Sequence, residues 1–183
     1  VIPDQSIFDY IFGDIAPEFA DKTAIVDSGA ATTYSELKSM VEAFAGALAH
    51  RGIGKGDVVA LHCPNSTTFA VAFHGILRAN ATVTTVATLA TAEDVAKQLR
   101  ASGAKMILTT SAIGWAGTHG AEQAGFAEDG IIGLTGVHGI AELLAEGHAA
   151  PEQDVDPSHD IAVIPFSSGT TGVPKGVMLS HTN

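Results

Sequence analysis

Apolar and polar positions along this chain fall into blocks whose period switches between two and about 3.6. The stretch "TAIVDSGAATTY" holds two strand-like runs, residues 24–27 and 32–34, around a glycine-containing turn, and predicts a hairpin. Thr33 and Glu36 stand at capping-box spacing, which opens a helix. Leu37, Met40, Val41, Phe44 and Leu48 follow on one helical face, and Gly52 closes the helix. Residues 58–63 are a continuous apolar run, the mark of a buried strand. Asn65 or Ser66 can cap the next helix, whose buried side is read as Phe69, Val71, Phe73, Ile76 and Leu77.

The alternation continues with a β-branched strand at 82–86, then a helix opened by Thr91 and Asp94 and ending near Gly103. Residues 105–109 and 131–134 read as strands, and 140–145 as a short helix. Between them, 111–129 shows no clear period, and no element is predicted there. "EGHAAPEQDVDPSHD" reads as a polar surface loop, after which 161–165 resumes as a strand. Strand and helix in turn imply an α/β fold, a mainly parallel sheet with helices on both faces. Ligands of such sheets sit beyond the carboxyl ends of the strands.

Composition narrows the setting. With 46% apolar and 16% charged residues in 183, the chain is expected to fold and to bury about 70% of its unfolded surface. A net charge of −11 repels nucleic-acid phosphates and anionic membranes, so neither is expected as a partner. The single cysteine, Cys63, excludes an internal disulfide, and within "VVALHC" it reads as a buried, inert thiol. No apolar stretch is long enough for a membrane-spanning helix, and "VIPDQSIFDYIF" lacks the basic flank of a signal peptide. A cytoplasmic location is therefore expected. The first residue is not methionine, as in a trimmed piece.

Two glycine clusters are set aside. "GIGKG" follows a helix and precedes a strand, the reverse of what a pyrophosphate site at a helix N-terminus needs. "GLTGVHG" has the right order without the fingerprint spacing, and reads as a plain β–α connection. The histidines form no H-E-x-x-H pair and are read as surface or satisfied core residues.

"PFSSGTTGVPKGVMLSH", residues 165–181, differs in kind. Ser167, Ser168, Thr170 and Thr171 offer hydroxyl donors, and Gly169 and Gly172 let main-chain N–H groups turn toward an anion. Lys175 adds a charge that can reach phosphate oxygens. The pattern is not G-x-x-x-x-G-K-[ST], because Pro174 precedes the lysine and no Ser or Thr follows it. Residues 177–180 are too short and strand-like for the helix of that motif, so the loop is predicted to join two strands. Composition alone leaves a solvated Gly/Ser/Thr loop as an equal alternative.

Residues 166–177 fit, without a gap, the signature [YF]-x-S-G-[ST]-[ST]-G-x-P-K-G-V of the adenylate-forming superfamily. The chain resembles that superfamily further in "TYSEL", "GIGKGD", "PNS" and "DPSHDIAVIPFSSGTTG". "LHCPNS" and "SSGTTGVPKGVMLSH" are most similar to its 4-coumarate–CoA ligase and fatty acyl-CoA ligase branch. It departs from the pattern at Ala87 and Thr88, where relatives carry Asn-Pro.

The resemblance implies an ATP-dependent acyl- or aryl-CoA ligase that forms an acyl-adenylate and transfers the acyl group to CoA. ATP with Mg2+, CoA and a small carboxylate would be its ligands. Ser167, Ser168, Gly169, Thr170, Thr171, Gly172 and Lys175 would hold phosphate, with Lys175 catalytic. Residues 1–183 would be the N-terminal portion of the AMP-binding domain. The acyl pocket, the metal carboxylate and a late adenylation lysine would lie beyond it, and the exposed faces could self-associate. The alternative is a stand-alone, non-catalytic nucleotide- or phosphate-binding module.

Overall fold

The computed structural model describes residues 3–135, 139–167 and 175–183. After a π-helical turn at Asp9–Gly13 and the short helix α1 (Pro17–Ala20), β1 (Thr23–Asp27) and β2 (Ala30–Thr33) form an antiparallel hairpin. Its turn places Ser28 and Gly29 at φ 52° and 84°, the two left-handed positions of a tight hairpin turn. Helix α2 (Tyr34–His50) then opens on the expected capping box. Thr33 Oγ1 accepts from the Glu36 N–H at 3.2 Å, and Glu36 Oε2 accepts from the Thr33 N–H at 2.8 Å.

β3 (Val58–His62), α3 (Thr67–Arg78), β4 (Thr82–Thr85), α4 (Ala92–Ser102) and β5 (Met106–Thr109) follow in the expected order. Ser66, not Asn65, caps α3, its Oγ accepting from the Phe69 N–H at 3.1 Å. Thr91 and Asp94 cap α4, and Gly103 ends it at φ 67°. The chain continues through α5 (Gly114–Ala124), β6 (Ile131–Gly133), α6 (Ile140–Ala145), β7 (Ile161–Val163), β8 (Phe166–Ser167), β9 (Lys175–Gly176) and β10 (Leu179–Ser180).

The main sheet has the order β10-β7-β4-β3-β5-β6. Five strands run parallel, and β10 adds an antiparallel edge. Alternation along the strands divides the core in two. Val59, Leu61, Val83 and Leu108 face one cluster with Val41, Phe44, Leu48, Val71 and Ile76 of α2 and α3. Ala60 and Ile107 face the other, with Val95, Leu99 and Ala121 of α4 and α5. Helices thus cover both faces.

Three expectations change, and one core feature is added. Helix α5 occupies a stretch without apolar period, because its buried face is Gly117, Gly120 and Ala121. A Cβ on Gly120 would lie 2.6 Å from Val95 Cβ, and one on Gly117 would lie 2.5 Å from Thr109 Oγ1. Close approach of backbones replaces large side chains there, so no periodic signal exists. Phe69 and Phe73 are only partly buried, while Ala72 and Gly75 take inner positions of α3. Phe8 and Phe12, near the amino end, instead enter the core. Finally, 177–180 is not one strand: β9 ends at Gly176, and β10 joins the main sheet.

The polar loop after α6 is anchored. Arg51 binds Glu146 through two hydrogen bonds of 2.7 and 2.6 Å, and Arg78 Nη1 donates to the Pro151 carbonyl at 2.6 Å. Asn80 Nδ2 donates to the Glu152 carbonyl at 2.8 Å.

Candidate functional site

The signature loop leaves the sheet at the carboxyl end of β7, the side where parallel sheets bind ligands. Its stem is antiparallel: Phe166 pairs with Gly176 and Ser167 with Lys175. The expected strand–loop–strand arrangement is therefore present at both ends of the loop. Ser168, Gly169, Thr170, Thr171 and Gly172 lie outside the described residues, as does Pro174. Of the candidate site residues, the structure places Ser167 and Lys175, opposite each other and exposed.

Gly176 has a packing reason. A Cβ there would lie 2.8 Å from Ile164 Cγ2 and 3.1 Å from the Phe166 ring. Only a residue without a side chain lets β9 close against the exit of β7. Pro165 has no N–H to donate, but its carbonyl accepts from the Val177 N–H at 2.9 Å. Among the described residues no carboxylate is paired with Lys175, whose ammonium is left to solvent or to an anion in the loop.

His62 ends β3 at the same edge of the sheet, and Cys63 follows it. His62 is fully buried, with Nδ1 3.1 Å from Thr109 Oγ1 and Nε2 without a hydrogen-bond partner. Burial holds its pKa below the usual imidazole value, partly offset by the main chain of Thr88 and Ala87. The Ala87–Thr88 departure thus borders a buried histidine. Cys63 is buried and its thiol pKa is raised by burial, as expected for an inert side chain. A cavity of about 510 Å³ lies at the carboxyl ends of β5 and β6, lined by Thr109, Ser111, Thr118, Glu122 and Thr135. It lies on the far side of β3 and β4 from the loop stem. No group of three or more His, Cys, Asp or Glu among the described residues could hold a metal ion.

One buried and two half-buried imidazoles couple the fold to pH. His74 sits edge-on between Phe12 and Phe73 with Nδ1 unpartnered, and His181 Nδ1 accepts from the Ile7 N–H at 3.2 Å. In His62, His74 and His181 burial lowers the pKa below the ordinary 6.5, so the fold favours the neutral ring. The unfolded chain therefore binds more protons below pH 6.5. Stability is expected to be full above that value and to fall as pH drops toward the folded-state values. The lowered carboxylates Asp27, Glu36 and Asp94 act only in more acidic solution, around and below their ordinary 3.8–4.5. Thermal midpoints recorded between pH 7.5 and 5 check this; a flat profile contradicts it.

The fold is that of the N-terminal domain of adenylate-forming acyl-CoA ligases. It superposes on a benzoate CoA ligase from Burkholderia xenovorans LB400 with a TM-score of 0.84 and 27% identity, over 97% of this chain and 35% of that one. The chain belongs to the family of AMP-binding enzymes, which residues 12–183 match. It is 37% identical to 4-coumarate–CoA ligase 5 of Oryza sativa subsp. japonica, over 98% of this chain and 34% of that protein. To the 4-coumarate–CoA ligase of Pinus taeda it is 34% identical, over 98% of this chain and 35% of that protein. It spans about a third of the length of these relatives. No helix among the described residues is long and apolar enough to cross a membrane.

Proposed function

We propose that this chain carries the ATP phosphate loop of an acid–thiol ligase of the 4-coumarate–CoA ligase type. A carboxylate attacks the α-phosphate of ATP, forming acyl-adenylate and releasing pyrophosphate; the CoA thiol then attacks the acyl carbon and displaces AMP. The observation that carries this reading is the unbroken signature at 166–177, mounted on a short antiparallel stem at the carboxyl end of β7. Hydroxyls of Ser167, Ser168, Thr170 and Thr171, with N–H groups at Gly169 and Gly172, hold the β- and γ-phosphates. Lys175, opposite Ser167 across the stem, neutralises charge as it moves onto pyrophosphate. This is positioning and electrostatic stabilisation, without a covalent intermediate on the protein. The magnesium ion expected with ATP would be held largely by the phosphates themselves; among the described residues no group of three or more His, Cys, Asp or Glu stands ready for it.

The test is calorimetric titration of the purified chain with ATP and with pyrophosphate. Saturable binding that weakens in a Lys175→Ala variant is expected. Equal behaviour of the two proteins would return the loop to the solvated alternative.

A further inference from the structure

A short loop stem has few bonds of its own, so its direction must be set by what holds its first residues. The stem leaves the sheet through Ile164, whose N–H donates to the Val83 carbonyl at 2.9 Å. Pro165 follows and can donate nothing. The Ile164 carbonyl, however, accepts from Thr84 Oγ1 at 2.7 Å. Thr84 is fully buried, and its hydroxyl is oriented in turn. Gln98 of α4 donates from Nε2 to Thr84 Oγ1 at 3.0 Å and to the Thr85 carbonyl at 2.9 Å. With Gln98 donating, the threonine proton is directed at Ile164. The result is a one-way relay from the helix through the sheet to the root of the loop.

We infer that Thr84, aligned by Gln98, is a positioning residue that fixes the stem of the phosphate loop by holding the Ile164 carbonyl. It touches no ligand and acts through the direction in which Phe166 and Ser167 leave the sheet. The same strand supplies an internal comparison. Thr82 Oγ1 donates to the Ile161 carbonyl at 2.6 Å, the same chemistry between the same two strands. It binds the opposite end of β7, about 10 Å from Ile164 along the strand. A purely structural role for these threonines predicts the same consequences at both positions.

Because the inference rests on residues 168–174 being the nucleotide loop, two independent readouts are used. Amide hydrogen exchange at Ser167, Lys175 and Val177, without ligand, reports the stem itself. ATP affinity reports the loop. Thr84→Val keeps the side-chain shape and deletes the relay. It is expected to speed stem exchange about tenfold, the effect of one lost buried hydrogen bond, and to weaken ATP binding by a similar factor. Thr84→Ser should restore both. Thr82→Val should lower the thermal midpoint comparably while leaving stem exchange and ATP affinity at the parent values. Gln98→Leu should reproduce Thr84→Val in part, since the hydroxyl remains but is no longer aligned.

Equal stem exchange in Thr82→Val and Thr84→Val overturns the inference, whatever happens to ATP. A parent chain that binds no ATP, with the exchange contrast present, overturns the phosphate-loop reading and upholds the brace. If Thr84→Val does not fold, Gln98→Leu carries the same contrast against Thr82→Val.

Discussion

In the whole enzyme, a Lys175→Ala variant is expected to form acyl-adenylate about a hundred- to a thousandfold more slowly, while thioester formation from supplied acyl-adenylate stays nearly unchanged. Negative charge accumulates on the departing pyrophosphate only in the first half-reaction, and an ammonium facing that charge stabilises the transition state more than bound ATP. Loss of one such contact costs about 2.7–4 kcal/mol. In the second half-reaction no pyrophosphate is in place, so the same side chain has little to stabilise. ATP–pyrophosphate exchange and CoA capture of ready-made adenylate, measured separately, divide the effect. Equal losses in both steps would indicate a folding defect, and an unchanged exchange rate would remove Lys175 from the site.

The largest expected effect on stability is at Gly46. It lies inside α2, where glycine normally costs about 1 kcal/mol relative to alanine, so Gly46→Ala would ordinarily stabilise. Here the added Cβ would lie 2.0 Å from the His148 carbonyl oxygen and 3.0 Å from the Ala149 carbonyl carbon, both main-chain atoms with little room to retreat. The loop after α6 is held on this helix by Arg51 and Glu146. Overpacking on this scale costs about 3 kcal/mol or more, which exceeds the propensity gain. A net loss of about 2 kcal/mol lowers the thermal midpoint by about 4–8 °C in a chain of this size. Gly114→Ala, at the start of α5 with open space around it, is the control and should be neutral or stabilising. A midpoint for Gly46→Ala at or above that of the parent would show that the loop can lift away without cost.

Much of this architecture is legible in the sequence. Thr33 with Glu36 and Thr91 with Asp94 announce helix starts through bonds that close within one turn, so neighbouring residues suffice. The runs at β3 and β5 declare buried strands because both of their faces are covered, and the signature at 166–177 is a local string. Each of these depends on residues close in sequence. The chain by itself therefore determined the α/β class, the order of its main strands and helices, and the position of the loop.

Tertiary structure decided the features whose partners lie far along the chain. Helix α5 packs through Gly117 and Gly120, and a missing side chain leaves no periodic mark; its meaning appears only when Val95 and Thr109 lie opposite. The strand order β10-β7-β4-β3-β5-β6 depends on crossovers that alternation alone does not rank. Phe8 and Phe12 belong to the core because α3 and the carboxyl-terminal segment receive the chain's first turn, through the His74 ring and the His181 imidazole. Thr84 and Gln98 are unremarkable in a strand and a helix until β7 is laid beside β4, 79 residues further along in the Thr82–Ile161 bond. Local bonding is written in neighbouring residues, whereas close approach and long-range hydrogen bonding exist only once the sheet has assembled.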